Sequence, residues 1–117
     1  MPAGPRRRAL VNGPPLARVE IDRAPDGRVR VVVAGEIDLS NAAEIEERLN
    51  DSVRAGEVVL LDLRAVEYLD SQGVRVINDL ALRREREGFE LSVIAPADSV
   101  AGEVLRLADL GELLTEP

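Results

Sequence analysis

The chain has 117 residues, a length that fits one domain with a single hydrophobic core. Its apolar fraction of 45% and charged fraction of 32% are typical of a folded globular protein. The net charge of −7 and the scarcity of aromatic side chains argue against binding to nucleic acid or to an anionic membrane.

The residue types that the chain lacks exclude most catalytic chemistry. It contains no Cys, no His and, since all 15 basic residues are Arg, no Lys. Thiol nucleophiles, histidine bases, lysine Schiff bases and zinc sites with the usual ligands are therefore excluded. We predict a protein that is not an enzyme and that uses no metal ion or cofactor. No apolar stretch approaches the roughly 20 residues of a membrane span and no signal peptide is recognised, so the cytoplasm is the expected compartment.

The first part of the chain differs in composition from the rest. Residues 1–15 hold four prolines and two glycines around the basic triplet at residues 6–8. This composition predicts a flexible N-terminal tail, with a solvated terminus favoured over docking on an acidic partner. The folded domain is predicted to cover residues 16–117.

The domain is predicted to open with a β-hairpin and a helix. Residues 17–22 alternate apolar and polar side chains, residues 25–27 form a Pro-Asp-Gly turn, and residues 29–34 return as a second strand. Asn41 and Glu44 have the spacing of a capping box for the first helix. Its apolar stripe consists of Ala42, Ile45, Leu49 and Val53, and Gly56 is the expected C-terminal residue.

The second half alternates strands and helices. An apolar run at residues 58–63 predicts a strand buried on both faces, and residues 74–87 predict a helix that ends at Gly88. Val74, Ile77 and Ala81 form its core face, while the pair Val76 and Leu80 is assigned to the core in preference to a partner surface. The remaining predictions are a strand at residues 91–95, a third helix capped by Asp98 or Ser99 with Val100, Val104, Leu107 and Ala108 on one face, and a short edge strand at residues 113–114.

The resulting order is β-β-α-β-α-β-α, which predicts a single small α/β domain with a mixed sheet. Ligand or partner sites in such sheets lie near the turns from strand to helix. Asp70 and Ser71 occupy the turn between the central strand and the second helix, where free N–H groups and the helix dipole favour negative charge. The Ser71 hydroxyl is therefore expected either to cap this helix or to carry a phosphate. Asp70 could itself be a cap.

Three segments resemble the STAS domain of the bacterial anti-anti-sigma factors, a family named for sulfate transporters and anti-sigma factor antagonists. They are residues 35–38 (Gly-Glu-Ile-Asp), residues 69–74 (Leu-Asp-Ser-Gln-Gly-Val) and residues 107–113 (Leu-Ala-Asp-Leu-Gly-Glu-Leu). The resemblance spans about residues 17–114. It departs from the family pattern at Gln72, where a second Ser or Thr is common, and at Asp109, where a glycine is usual.

The resemblance implies a function and a set of site residues. The unphosphorylated protein would bind an anti-sigma factor, a serine kinase with a histidine-kinase-like fold, and so release a sigma factor. The kinase would phosphorylate Ser71 and end the interaction, and a metal-dependent serine phosphatase would reset it. The implied partner-binding residues are Asp38, Asp70, Ser71, Gln72 and Gly73, with Gly73 allowing close approach.

The residues leave other interpretations open. Asp38 could be an ordinary loop carboxylate. A STAS domain could also serve as a scaffold in a stress-signalling complex, or as a ligand-binding subunit of a lipid-transport complex, without being phosphorylated. The sequence does not decide between a monomer and a weak homodimer.

Overall fold

The computed structural model describes residues 16–114, so the predicted flexible tail at residues 1–15 lies outside the described residues. The described residues contain the predicted element order, β-β-α-β-α-β-α, which is confirmed. The elements are β1 (Ala17–Arg23), β2 (Arg28–Ile37), α1 (Ala42–Ser52), β3 (Val58–Leu69), α2 (Ser71–Glu87), β4 (Leu91–Ile94) and α3 (Val100–Leu107), followed by a short 3-10 helix, Gly111–Leu113.

The strands form one mixed sheet in the order β1-β2-β3-β4. β1 and β2 are antiparallel, as the predicted hairpin requires, whereas β2, β3 and β4 are parallel neighbours. The hairpin turn contains Gly27, whose φ of 89° is the left-handed conformation that glycine adopts at low cost. Because helices connect the parallel strands, the C-terminal ends of β2 and β3 lie side by side. The predicted site is at this edge.

β3 extends six residues beyond the predicted strand, to Leu69. The pairing of β2 with β3 is irregular between Val32 and Ala34, so the alternation of buried and exposed residues is interrupted there. After this irregularity the buried residues of β3 are Val66 and Leu69, separated by two exposed residues. A search for period-2 alternation therefore ends the strand too early.

Two predictions about α1 are wrong. The Asn41 side chain makes no capping hydrogen bond to the helix, and the helix ends at Ser52 with an extended C-cap at Val53, so Gly56 is not its C-terminal residue. Gly56 instead has a φ of 84° in the turn before β3. The predicted apolar stripe is correct, since Ala42, Ile45, Leu49 and Val53 are all buried.

α2 buries a charged residue that the sequence analysis did not assign to the core. Val76, Ile77 and Leu80 are in the core as expected, but Arg84 is also buried, with 2% of its surface exposed. Its guanidinium donates to three backbone carbonyl oxygens, those of Arg54, Glu57 and Glu90. It also lies 5.1 Å from the centre of the Phe89 ring. One arginine thus ties the helix to the turns that flank β3 and β4.

The face of α3 that meets the core is not the predicted one. Ser99 caps the helix through a hydrogen bond from the Gly102 N–H, as one of the two predicted alternatives. The buried residues are Ala101, Gly102 and Leu105, whereas Val100 and Leu107 are exposed. A Cβ on Gly102 would lie 2.0 Å from the Pro96 carbonyl oxygen, so small residues are needed where α3 meets the preceding loop. Close approach at Ala101 and Gly102, together with the burial of Leu105, therefore decides which face of α3 meets the core.

The predicted edge strand at residues 113–114 is reduced to a single bridge. Leu114 pairs with Val93 in a parallel bridge, while Leu113 belongs to the 3-10 helix. Within the described residues, no helix is long and apolar enough to cross a membrane.

Asp62 is a buried carboxylate in β3 held by two arginines. Arg64 donates to it from its backbone N–H and its guanidinium, and Arg30 donates from its guanidinium. The hydrogen bonds from Arg64, with that from Arg30, hold the pKa of Asp62 well below its ordinary value despite burial, which acts in the opposite direction. The carboxylate is therefore charged in the folded protein throughout the neutral range.

This arrangement predicts a loss of stability in acid. A lowered folded-state pKa means that Asp62 stabilises the fold above the unfolded pKa of about 3.9 and loses this contribution as the pH falls further. We expect Asp62→Asn to cost about 1–2 kcal/mol at pH 7, since both arginines are half-exposed, and to make unfolding less sensitive to pH below about 4. Urea unfolding at several pH values measures both effects. Asp26→Asn, which removes an exposed carboxylate 3.7 Å from Arg28, is the control and should change neither.

Candidate functional site

The C-terminal ends of β2 and β3 bring two loops together. Ile37 and Leu69 are partners in the parallel register, so the loop after β2 adjoins the turn between β3 and α2. The Asp70 N–H donates to the Ile37 carbonyl oxygen at 3.2 Å. The sequence-predicted residues Asp38, Asp70 and Ser71 are thus on adjoining segments.

Asp70 is the N-cap of α2. Its Oδ1 accepts from the backbone N–H groups of Gln72 at 2.9 Å and Gly73 at 3.1 Å. Its Oδ2 accepts from the Leu39 N–H at 3.1 Å. One carboxylate therefore starts the helix and fixes the neighbouring loop to it, which agrees with the interpretation of Asp70 as a cap.

Ser71 is the first residue of α2 and not its cap. Its side chain is exposed, and within the described residues its hydroxyl makes no hydrogen bond. Of the two alternatives for Ser71, the one in which it caps the helix is therefore excluded, because the Asp70 carboxylate already accepts from the free N–H groups. The Ser71 hydroxyl is accessible to a second protein.

Asp38 organises its own loop. Its Oδ1 accepts from the backbone N–H of Ser40 at 2.9 Å and from the Ser40 hydroxyl. The Asn41 side chain closes the loop by accepting from the Asp38 N–H and donating to the Glu36 carbonyl oxygen. This closed loop presents Leu39 to solvent with 76% of its surface exposed. Asp38 is thus part of a fixed turn beside Ser71, and a large apolar side chain is held at its tip.

Gln72 is hydrogen-bonded to Arg75, a residue that the sequence analysis did not single out. Gln72 Oε1 accepts from Arg75 Nε at 3.2 Å. The Arg75 guanidinium also contacts Glu46 of α1 at 3.4 Å and Asp79 at 3.0 Å. The spacing of four residues between Ser71 and Arg75 is the signal that could have found it, because residues four apart are neighbours on a helix.

Gly73 is buried against the core. A Cβ at this position would lie 2.3 Å from Leu69 Cδ1 and 3.1 Å from Ile37 Cγ2. The predicted approach of a partner at Gly73 stays a prediction. Packing inside the domain supplies an independent reason for a glycine here.

The site contains no candidate metal centre. In the described part of the chain, no group of three or more acidic side chains is arranged to hold a metal ion. The carboxylates at the site are committed to backbone and hydroxyl donors, as described above for Asp38 and Asp70. The arrangement offers a free hydroxyl and a shaped surface.

The two roles at the turn can be separated by mutation. We expect Asp70→Ala to lower the free energy of unfolding by about 1–2 kcal/mol, because it removes the N-cap and the bond to Leu39. Ser71→Ala should change it by less than about 0.5 kcal/mol, because an exposed hydroxyl without a hydrogen bond is lost. Chemical denaturation measures both values. Equal costs for the two variants would contradict the assignment of the cap to Asp70.

Solved structures share this fold. An anti-sigma factor antagonist from Mycobacterium paratuberculosis aligns with a TM-score of 0.72 and 24% identity, over 86% of this chain and 84% of that one. The anti-sigma factor antagonist SpoIIAA in its unphosphorylated form aligns with a TM-score of 0.68 and 16% identity, over 86% of this chain and 88% of SpoIIAA. The phosphorylated form of SpoIIAA, a Bacillus cell fate determinant, aligns with a TM-score of 0.61 and 14% identity, over 86% and 91%.

Sequence comparison identifies the family. The anti-sigma-B factor antagonist of Listeria monocytogenes is 31% identical over 99 residues, covering 81% of this chain and 86% of that protein. The relatives are named as antagonists of another protein, in agreement with the prediction of a regulatory protein and not an enzyme. The protein-family model of the STAS domain matches residues 19–115. The chain therefore belongs to the STAS domain family.

Proposed function

We propose that this protein is an anti-sigma factor antagonist and that phosphorylation of Ser71 switches it off. In the unphosphorylated form it binds an anti-sigma factor, which then releases its sigma factor. The role as antagonist is supported by the names of the relatives of similar length. The role of Ser71 is supported by the turn at the start of α2. Sigma factors act on RNA polymerase, so this function places the protein in the cytoplasm.

The observation that carries the proposal is that Asp70 and Ser71 have different roles at the start of α2. Asp70 accepts from the N–H groups of the first turn, so the helix start does not depend on the serine. Ser71 is left exposed, with its hydroxyl free. Within the described residues, phosphorylation would break no hydrogen bond of this hydroxyl. This serine can be modified without dismantling the fold.

Phosphorylation at this position requires an external enzyme. Ser71 Oγ would form a bond to the γ-phosphorus of ATP while the bond to the leaving ADP oxygen breaks, and the hydroxyl proton would pass to a base. Kinases use a carboxylate as that base, and the carboxylates nearest Ser71 in the sequence and on the adjoining loop, those of Asp70 and Asp38, already accept from backbone N–H groups. The base and the metal ion that neutralises the phosphates would therefore come from the kinase, which in this proposal is the anti-sigma factor with its histidine-kinase-like fold. A metal-dependent serine phosphatase would later reset the protein: a water oxygen would form a bond to phosphorus while the bond from phosphorus to Ser71 Oγ breaks, which restores the hydroxyl and releases inorganic phosphate.

The proposed contact surface, here called the switch surface, comprises Asp38, Leu39, Asp70, Ser71 and Gln72. It combines an exposed apolar side chain, Leu39, with polar groups whose hydrogen bonds fix the adjoining loops. Exposed apolar residues at the centre of an interface, surrounded by polar groups, are the usual source of binding energy. Gly73 would lie beneath this surface and support it through packing, in addition to the predicted contact.

The test is intact mass spectrometry after incubation with candidate anti-sigma kinases, ATP and Mg²⁺. We expect one added phosphate on the wild-type protein, none on Ser71→Ala, and one on Ser40→Ala. Ser40 is the matched control because it is exposed on the adjoining loop. Phosphate on Ser71→Ala, or a wild-type protein that binds its kinase yet gains no phosphate, would contradict the assignment of the switch to Ser71. The second result would also favour the scaffold or ligand-binding role of a STAS domain.

A further inference from the structure

We propose that Arg75 holds the phosphate of phosphorylated Ser71 within the same chain and favours its doubly charged form at neutral pH. This inference rests on the proposed phosphorylation of Ser71 and adds a residue that positions the phosphate. Three contacts of Arg75 in the unphosphorylated protein carry it, together with the positions of Asp70 and Asp38 near Ser71.

The first step concerns reach. Helical side chains lean towards the N-terminus, so a residue covers the surface of the preceding turn. Arg75 does so, because its Nε donates to Gln72 Oε1 one turn earlier, at 3.2 Å. Ser71 lies on the same side of α2, one residue further from Arg75 than Gln72. The guanidinium is therefore already turned towards the end of the helix that would carry the phosphate.

The second step concerns the present partners of Arg75. Arg75 donates to the neutral amide oxygen of Gln72. It also forms ion pairs with two carboxylates, that of Glu46 at 3.4 Å and that of Asp79 at 3.0 Å. The side chains of all three charged residues are between about one third and one half exposed, so these ion pairs are worth little. A phosphate offers about two charges and three oxygen acceptors in fork geometry that suits arginine. Arg75 would therefore exchange its bond to Gln72 or Glu46 for bonds to the phosphate.

The third step concerns charge. Asp70, just after β3, directly precedes Ser71, and Asp38 lies on the adjoining loop after β2, so two carboxylates are near the position of the phosphate. Glu46 of α1 and Asp79 of α2 contact Arg75. Nearby negative charge raises the second phosphate pKa, which is ordinarily about 6, towards neutrality. A positive guanidinium beside the phosphate opposes that rise. Contact with Arg75 would therefore favour the doubly charged form of the phosphate at pH 7 in spite of its acidic surroundings.

The experiment uses phosphoserine inserted at position 71 during synthesis, with the ³¹P chemical shift followed from pH 4.5 to 9. We expect the phosphate pKa to be higher in Arg75→Gln than in the wild-type background by about 0.3–0.7 units, the value of an exposed ion pair. Arg75→Lys should lie between the two. Arg83→Gln is the control, because it removes the same charge two turns further along α2, from an ion pair with Glu87. Its phosphate pKa should equal that of the wild type.

A second readout is the ¹⁵N–¹H signal of the Arg75 Nε group, which should move on phosphorylation. Equal phosphate pKa values in wild type and Arg75→Gln, or equal shifts in Arg75→Gln and Arg83→Gln, would overturn the proposal, the latter by showing a general charge effect. Circular dichroism of each variant excludes a change of fold. Neither measurement needs a kinase or an anti-sigma factor. If no kinase phosphorylated the protein, the proposed function would be contradicted. The phosphate pKa and the Arg75 signal, measured on the inserted phosphoserine, could still be interpreted.

Discussion

Gly73→Val is expected to lower the free energy of unfolding by about 2–3 kcal/mol, the cost of forcing extra methyl groups into a packed core. The added Cβ would overlap Leu69 Cδ1 and press on Ile37 Cγ2, both of buried residues. Replacing a helical glycine normally gains up to about 1 kcal/mol in helix propensity, which is too little to offset this overlap. Denaturant unfolding with a two-state fit measures the net change. A cost near zero would mean that Leu69 rotates away freely.

The same variant separates packing from partner contact at Gly73. Val93→Ala is the matched control, because it destabilises the core at a buried residue outside the switch surface. If the glycine is needed only for packing, the Gly73→Val protein that remains folded should bind the anti-sigma factor with wild-type affinity. A loss of affinity at a temperature where more than nine tenths of the variant is folded would instead support the predicted close approach of a partner.

The order of elements and the sheet could be predicted because they depend on local patterns. The hairpin follows from alternation around a Pro-Asp-Gly turn, and the end of α2 follows from Gly88, which has a φ of 78°. The faces of the helices were predicted less well. The burial of Arg84 was not predicted, because an arginine is ordinarily exposed and two of the three carbonyl oxygens that accept from it, those of Arg54 and Glu57, belong to a turn distant in the chain. In α3 the small residues Ala101 and Gly102 face the core, and only the tertiary approach of α3 explains that preference.

The residues of the candidate site also differ in how far the sequence predicted their roles. The sequence placed Asp70 and Ser71 at the turn between the central strand and the second helix, and the structure has them there. It left open which residue caps the helix, because Asp and Ser are both preferred caps. The bond from the Leu39 N–H to Asp70 depends on the adjoining loop, so only the structure selects Asp70. Arg75 was not singled out because its contact with Glu46 joins two helices.

Phosphorylation of Ser71 is expected to weaken binding to the anti-sigma factor by about 100-fold or more while leaving the fold unchanged. The phosphate adds about −1.5 to −2 charges at the start of α2. The helix dipole favours it by about 0.3–1 kcal/mol, and repulsion from the Asp70 carboxylate is of similar size, so the two effects nearly cancel within the domain. At the interface the proposed contact with Arg75, an exposed ion pair, offsets only a small part of the cost. A new dianion must be desolvated against a closely packed surface, which costs several kcal/mol, and each 1.4 kcal/mol is about tenfold in affinity.

Ser71→Asp carries part of this charge and should lower the affinity in the same direction, as measured by isothermal titration calorimetry with the anti-sigma factor. Ala55→Asp is the control, because it adds the same charge in the exposed turn before β3, at the end of that strand remote from Ser71. It should bind like the wild type.

Amide NMR spectra of the phosphorylated and unphosphorylated proteins test the mechanism. Shifts limited to the switch surface and the first turns of α2 would support local repulsion, since Asp70 keeps its cap in both forms. Shifts spread through β4 and α3 would show that the phosphate rearranges the domain, and binding would then be lost by a conformational change instead.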